Sequence, residues 1–435
     1  MFQTTDGRRA RSAGRAAVVI PASALLALAV HGSLGAQAPA ARAAYERVAA
    51  VVRGHSPFLA AARADLAASV ARAHAAGRGD AAELSADVEE APEFRVGEAV
   101  FSLTVSREFL VGGRGAAARA VATADVVTAE ERLVWGEQAV GVAAERELAR
   151  WLGWSAVSLR LAAQDSLLAQ AEAAIRDRLA AGEARYGDVL RIGAERLRGA
   201  SDRNLAAAAA GDARARLEAL AGAGGGELGP VLDSLVTAGA VPARPPDAPS
   251  RDSLLAIAPA VRRAGAELRR LEAERAMVRA ETRPRLRASL GAQLAGEGDR
   301  RGVGPVAGVA VSLPFTAGSA NRAALGAATA ATEAAEARLA AVQQGARGVL
   351  DAAARRFGAA IARAALFETG LLAAARAERT SALDAYAAGE VSLLELLDFE
   401  RAAFQIEIEG LHALMDATEA WAGLWLGTAE EGDRP

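Results

Sequence analysis

The side chains best placed to do chemistry in this chain are two carboxylates near its C-terminal end, Glu395 and Asp398. A spacing of three residues puts both on one face of a helix, and several copies of that face brought together would attract cations. A third carboxylate, Asp188, stands at a matching place in the first half of the chain. The alternative is that all three are ordinary acidic residues at helix N-termini, where the helix dipole favours negative charge.

Composition excludes most other chemistry. The 435 residues include no cysteine and no lysine, which removes disulfides, thiolate metal ligands, cysteine nucleophiles, lysine bases and a P-loop lysine. The four histidines are scattered, and no two have the spacing of metal ligands. A formal net charge of −3 gives no reason to bind nucleic acid. We therefore expect no enzyme activity, no cofactor and no resident metal.

Residues 1–38 are organised as a secretory signal peptide. Four arginines precede the apolar run 16–30, and small residues follow it. Ala36-Gln37-Ala38 is the nominal cleavage box, although Pro39 disfavours a cut there and a site elsewhere between residues 34 and 41 is equally compatible. A retained membrane anchor is the alternative, but the run is shorter than the ~20 apolar residues of a span. Beyond this segment we find no apolar stretch of 18 residues, so we expect an exported chain without a transmembrane helix.

The distribution of proline predicts very long helices. Hydrophobic residues make up 52% of the chain and aromatic residues only 4%, a composition typical of closely packed helices. No proline occurs between Pro92 and Pro230, or between Pro314 and Pro435. Because proline breaks helix interiors, long helices are predicted at 114–180 and 319–386. The shorter predicted helices are 40–76, 188–220, 251–281 and 392–427, and a proline cluster marks a linker at 231–250.

The two halves of the chain repeat each other. The Ser106–Phe109 segment parallels Ser312–Phe315 at an offset of 206 residues, and two Ala-Gly-Glu turns repeat at an offset of 207. We therefore predict a first structural repeat at 39–230 and a second at 251–428, with a C-terminal tail at 429–435. The predicted features of the first repeat are two strands near 82–106 and a turn near 182–187; those of the second are two strands near 285–313 and a turn near 387–391.

The predicted strands alternate apolar residues with small or polar ones. Phe101, Leu103 and Val105 alternate with serine and threonine, and the same period of two recurs in the other three segments. Segments of about ten residues with one apolar face fit membrane β-strands around an aqueous lumen, and half-buried strands of a soluble sheet fit equally well. Four strands cannot close a barrel, so membrane strands would need several copies of the chain.

Two motifs resemble a known family, the TolC-type outer-membrane efflux channels. One is the Ser-Leu-Pro-Phe strand end at 312–315, and the other is the segment 386–398, which is similar to the family's second periplasmic hairpin turn; residues 178–188 are similar to the first. The resemblance covers essentially the whole chain after the signal. It implies a mainly α fold with a small β part, in which each chain adds long helices to an α-barrel and four strands to a trimeric twelve-strand transmembrane β-barrel.

The same resemblance implies function and partners. The chain would be the passive trimeric duct of a tripartite efflux or secretion system, located in the outer membrane, and would receive cargo from an inner-membrane pump through a periplasmic adaptor. Glu395, Asp398 and Asp188 would line its entrance constriction. The turn residues Ala181, Gly182, Glu183, Ala388, Gly389 and Glu390 would contact the adaptor, or would simply close the loops. Many relatives carry a basic residue where this chain has Val391, so the closed entrance needs another link. A secreted or periplasmic coiled-coil protein is the alternative function.

Overall fold

The computed structural model describes residues 39–78, 81–89, 100–180, 182, 185–222, 225–237, 240–297, 300–312, 318–387 and 390–427. Long helices and one small sheet make up this part of the chain. The helices are α1 (Pro39–His55), α2 (Pro57–Ala75), α3 (Arg114–Ala180), α4 (Tyr186–Ala221), α5 (Gly225–Thr237), α6 (Arg251–Ile257), α7 (Pro259–Glu281), α8 (Gly318–Leu366), α9 (Leu372–Ala387) and α10 (Leu393–Leu426). The strands are β1 (Glu83–Glu89), β2 (Val100–Phe109), β3 (Arg285–Glu297) and β4 (Arg300–Ser312).

Local signals fix where the helices begin and end. The 67-residue helix α3 starts directly after Gly112 and Gly113, whose φ angles of 70° and 82° suit glycine alone. Gly182, with φ of 80°, follows its end. Proline occupies the first turn of α2 and of α7, where its missing N–H costs nothing. The predicted bounds of the first long helix are therefore confirmed.

The sheet joins the two repeats edge to edge. Its order is β1-β2-β3-β4, and every neighbouring pair is antiparallel. The central pair, β2 with β3, connects the hairpin of the first repeat to that of the second, with Phe101 opposite Leu294 and Phe109 opposite Leu286. Within this chain β1 and β4 are left as edge strands. All four predicted strands are confirmed.

The apolar face of the sheet is its exposed face. In β2 every second side chain is exposed, and these include Phe101, Leu103 and Val105, whereas Ser102 and Thr104 are half-buried. The registers extend this face over all four strands without a break. One row across the sheet reads Leu84, Val105, Leu290 and Ala307, and another reads Val88, Phe101, Leu294 and Val303. The opposite face carries small and polar residues, and a side chain at Gly291 would collide with the Leu103 carbonyl oxygen.

The helices bury their apolar side chains instead. Leu148 and Leu152 of α3 are 1% and 0% exposed and pack with residues of α1, α2, α4 and α5 in one cluster. A second cluster joins α3 and α6 to α8 and α10, and it contains Trp421 and Trp425. Both tryptophans thus serve packing between helices. The helical part therefore has water-facing polar surfaces and dry contacts between helices.

Three helix predictions need correction. The second long helix is interrupted by a π-helical segment, Phe367–Leu371, between α8 and α9. The helix predicted at 40–76 divides at Ser56, and the one at 251–281 divides at Ala258, because proline follows each of these residues. Helix α5 extends to Thr237, seven residues into the segment predicted as linker, and it contains Pro230 in its interior.

One further correction concerns hydropathy. The helical stretch Gly318–Ala382 contains an 18-residue window with a mean hydropathy of 1.4, so by length and composition it could cross a membrane. The expectation that no such apolar stretch follows the signal is wrong. Alanine supplies most of the apolar character of this stretch, and only 17% of the window is buried within the chain. The predicted signal peptide, 1–38, and the tail, 429–435, lie outside the described residues.

Candidate functional site

The two helical hairpins meet at their tips. The first tip lies between α3 and α4, and the second between α9 and α10. Buried residues of α3 and α4, including Val189 and Ile192, form a small apolar cluster against which Leu394 and Leu397 of α10 pack. The start of α10 is thereby fixed against the start of α4, and the three carboxylates predicted to act at the entrance come to one end of the molecule.

Glu395 caps its own helix. Its backbone N–H donates to the Ser392 hydroxyl at 3.2 Å, and its carboxylate accepts from the Ser392 N–H at 2.7 Å. These reciprocal bonds satisfy two donors at the start of α10. The bond from the Ser392 N–H lowers the pKa of Glu395, so the carboxylate stays charged. The side chain remains exposed, so capping leaves its negative charge available to solvent.

Asp188 makes the equivalent bond in the first hairpin. Its carboxylate accepts from the Arg185 N–H at 3.4 Å, a long capping contact at the start of α4. The turn before it closes through the Gly182 N–H, which donates to the Leu179 carbonyl at 3.0 Å. The second turn closes through a bond from the Glu390 N–H to the Ala385 carbonyl at 2.9 Å. The helix-terminus interpretation of Asp188 and Glu395 therefore has direct geometric support, and it leaves their charges in place.

Asp398 has a cationic partner that the sequence did not reveal. Arg191 of α4 approaches its carboxylate at 3.7 Å, and both side chains are exposed. This contact ties the first hairpin to the second. The sequence does show an arginine three residues after Asp188, at the place in the first repeat that matches Asp398 in the second. Arg191 thus places a basic group beside Asp398 at the tips.

Further ion pairs hold the hairpins together above the tip. Arg401 of α10 approaches Glu195 of α4 at 3.8 Å. Within the second hairpin, Arg379 donates to Glu400, which is almost fully buried, at 3.0 Å, and its guanidinium lies 5.8 Å from the Phe404 ring. These contacts join neighbouring helices without filling the space beyond the tips.

Four of the predicted turn residues, Ala181, Glu183, Ala388 and Gly389, lie outside the described part of the chain. Gly182 and Glu390 are described and exposed. In the described ranges there is no group of three or more His, Asp or Glu side chains arranged to hold a metal ion.

Comparison with known proteins finds a family match in the second half of the chain. Residues 251–426 match the sequence model of the family described as outer membrane efflux protein. No curated protein sequence matches the chain significantly. The second repeat is thus similar to the outer membrane efflux proteins, and the predicted resemblance to this family is confirmed for residues 251–426.

Solved structures extend this result to the fold of the whole chain. The outer-membrane channel OprN is 20% identical with a TM-score of 0.69, and the match covers 90% of this chain and 91% of OprN. A membrane protein from Pseudomonas aeruginosa is 19% identical with a TM-score of 0.65, covering 89% of this chain and 94% of its own. The outer membrane protein VceC from Vibrio cholerae is 19% identical with a TM-score of 0.65, covering 87% and 96%. The fold of this chain is therefore shared with these membrane proteins over nearly its whole length.

Proposed function

We propose that this chain is the outer-membrane channel of a tripartite efflux or secretion system, a passive duct that does no chemistry on its cargo. The observation that carries the proposal is the exposed apolar face that runs unbroken over all four strands. An apolar surface of that extent suits lipid, and the small and polar opposite face suits a water-filled lumen. The family match of residues 251–426 supports the same function.

The duct is a homotrimer in the outer membrane. A four-stranded sheet in lipid cannot leave the backbone groups of β1 and β4 unpaired, because no water is present to satisfy them. Three copies, each pairing its β4 with the β1 of the next, close a barrel of twelve strands. The mass of the protein solubilised in mild detergent tests this assembly. Three chains per particle is the expected result, and a stable monomer recovered from the soluble periplasm would contradict it.

The entrance of the duct lies at the hairpin tips. A trimer brings three copies of Glu395, Asp398 and Asp188 around one axis, where carboxylates held in a narrow throat interact more strongly than on an open surface. We expect this ring to favour cations. Within each chain, Arg191 forms an ion pair with Asp398 that links the two hairpins. The uncharged side chain of Val391 cannot form such a link.

The matched variants for the entrance are Glu395→Gln with Asp398→Asn, which remove charge but keep hydrogen-bonding capacity at the cap. In planar-bilayer recordings this double variant should show weaker cation selectivity and weaker block by trivalent cations. The control replaces Asp202 and Asp212, exposed acidic residues of α4 far above the tip, with asparagine. Unchanged selectivity and block in the entrance variant would show that these carboxylates are only helix caps.

The tips also form the proposed docking end for a periplasmic adaptor, which passes cargo from an inner-membrane pump. The contact residues are those of the two turns: Ala181, Gly182, Glu183, Ala388, Gly389 and Glu390. The apolar cluster that joins α4 to α10 supports this role, because it presents both turns to a partner as one rigid end. Loss of adaptor capture on replacing Gly182 and Glu390 with bulky residues, with trimer mass unchanged, is the expected result.

A further inference from the structure

One charged residue stands near the helical border of the apolar outer face of the sheet. In the rows of that face from Phe109 to Phe101, all of which the structure describes, every side chain is apolar except that of Arg107. Its cross-strand neighbour is Ala288, and its guanidinium lies 6.0 Å from the centre of the Phe109 ring. No carboxylate in the described part of the chain pairs with it. An ionised group on a lipid-facing surface is costly unless it finds a partner, so Arg107 calls for an anion from outside the chain.

The position of Arg107 along its strand puts it at the membrane border. It lies two residues from the end of β2 at Phe109, about 7 Å along the strand. Phe109 and Leu110 are 44% and 37% exposed, so the apolar surface continues to the turn that leads into α3. A long arginine side chain at such a border keeps its methylene groups on the apolar surface and turns its guanidinium to the polar side.

Three more exposed arginines surround the turn between β2 and α3. Arg119 donates to the Gly115 carbonyl at 3.1 Å, and Arg283 donates to the Gly112 carbonyl. Arg78 follows directly after the glycine that packs on the first turn of α3. None of the three pairs with a carboxylate in the described ranges, and the first turn of α3 contains no acidic residue. Each guanidinium has five N–H donors, so most of them remain free.

Nearby acidic residues do not neutralise these arginines. Glu108 lies on the opposite face of the sheet, and its carboxylate is 3.7 Å from the Arg114 guanidinium and 3.9 Å from that of Arg287. Glu281, two residues before Arg283, is one negative charge against four positive ones. The border between the sheet and the helices is therefore positively charged on its outer side.

We propose that four arginines, which we call the arginine border, bind the phosphate groups of anionic phospholipids in the leaflet on the helical side of the membrane: Arg78, Arg107, Arg119 and Arg283. The inference rests on the proposed membrane position of the sheet and names the lipid that surrounds it there. A planar guanidinium matches a phosphate group and can donate two parallel hydrogen bonds to it.

The apolar residues beside the arginine border favour a lipid over a soluble anion. Phe109 and Leu110 continue the outer face of the sheet, so they contact the acyl chains of the lipid whose headgroup the arginines bind. A soluble anion would use the arginines alone and would leave both apolar side chains in water. A lipid with a net negative headgroup is favoured over a zwitterionic one, because each arginine near the membrane surface adds attraction for negative charge.

Native mass spectrometry of the full-length protein in mild detergent tests the proposal, because each spectrum gives both the number of bound lipids and the mass of the particle. Phosphatidylglycerol or phosphatidylcholine is added to delipidated protein. We expect the unchanged protein to prefer phosphatidylglycerol. The triple variant Arg78→Gln, Arg107→Gln, Arg283→Gln should lose on the order of tenfold of that preference, and Arg107→Gln alone should lose a smaller part of it.

The matched control removes three arginines that lie away from the sheet. Arg216→Gln, Arg355→Gln and Arg356→Gln change exposed residues of α4 and α8, and Arg355 lies about 55 Å along α8 from its sheet end. This control changes the net charge by the same amount and should keep the preference for phosphatidylglycerol. Inorganic phosphate at the concentration of the lipid is the probe for a free anion and should displace little of it.

The outcomes separate the arginine border from the duct. Loss of the preference in the triple variant and in Arg107→Gln, and not in the control, supports the lipid site. A trimer that binds both lipids equally, or an equal loss in variant and control, overturns the lipid site and leaves the duct standing. Full displacement by inorganic phosphate shows a site for any phosphate and overturns the choice of lipid. A monomeric mass for every sample overturns both proposals.

Discussion

The sheet and the helical layers distribute their apolar side chains in opposite ways. In α3, Leu148 and Leu152 are 1% and 0% exposed, whereas in the sheet Leu103 and Leu290 are 52% and 66% exposed. The sheet turns its small and polar residues to the sheltered side and its large apolar residues outward. Burial of apolar surface from water drives the packing of the helices, and it cannot explain a sheet arranged the other way round. The difference fits a chain whose helices meet water and whose sheet meets lipid.

The largest expected effect comes from truncating one leucine in each region. Leu152→Ala removes a fully buried side chain from the contact of α3 with its neighbours and should cost about 2–5 kcal/mol. Leu290→Ala should cost less than Leu152→Ala, because fluid detergent fills the space left at the outer face of the sheet and no cavity forms. Denaturant unfolding of the solubilised protein measures both. Equal losses at the two sites would remove the contrast between the regions.

A charge on the outer face of the sheet is expected to act next most strongly. Leu290 lies near the middle of β3, where arginine on a lipid-facing position should cost about 2–4 kcal/mol of barrel stability. Gln293→Arg, three residues on and on the opposite face, is the matched control and should be nearly neutral because it meets the lumen. Unfolding in lipid vesicles compares the two. Tolerance of arginine at 290, combined with damage at 293, would invert the assignment of the faces.

The helical part also contains a titrating group that sharpens the comparison. Burial raises the pKa of Glu145 in α3 from 4.5 to about 7. The folded chain therefore binds this proton more tightly than the unfolded chain. Its stabilising contribution is complete below about pH 4.5 and is lost as the pH rises through about 7. Glu145→Gln should raise the free energy of unfolding at pH 8 by up to about 3 kcal/mol, and should change it little at pH 4.5.

The control for this substitution is Glu130→Gln, an exposed glutamate earlier in the same helix. It should leave the pH dependence of the melting temperature unchanged. A Glu145→Gln variant that melts with the same pH profile as the unchanged chain would show that Glu145 is not held in a dry environment.

The sequence predicted those parts of the fold that depend on local pattern. The period of two in β2 and the glycine pair before Arg114 are local signals, and both elements appear where they were expected. The π-helical segment Phe367–Leu371 was missed, because no proline marks it and it depends on packing of Phe367 against α10. Helix α5 was not predicted, since the residues that bury its apolar face belong to the distant helices α1, α3 and α4.

The candidate site was predictable in composition but not in its pairings. Glu395 and Asp188 each follow a turn, a position that is compatible both with an acidic ring and with a helix cap. In the structure both carboxylates accept a capping hydrogen bond from a backbone N–H. The partner of Asp398 lies more than two hundred residues away in the chain. The arginine three residues after Asp188 is visible in the sequence, but only the packing of α10 against α4 shows that its partner is Asp398.

Labelling of single cysteines in the sheet tests the central claim most directly, because the unchanged chain has none. Ser102→Cys and Leu103→Cys are neighbours in β2 that lie on opposite faces. With the assembled protein in lipid vesicles, a membrane-impermeant maleimide should react with Ser102→Cys through the water-filled lumen. It should spare Leu103→Cys until the lipid is removed and the protein is unfolded. Reaction of Leu103→Cys in intact vesicles as fast as that of Ser102→Cys would contradict a lipid-facing sheet and the membrane duct built on it.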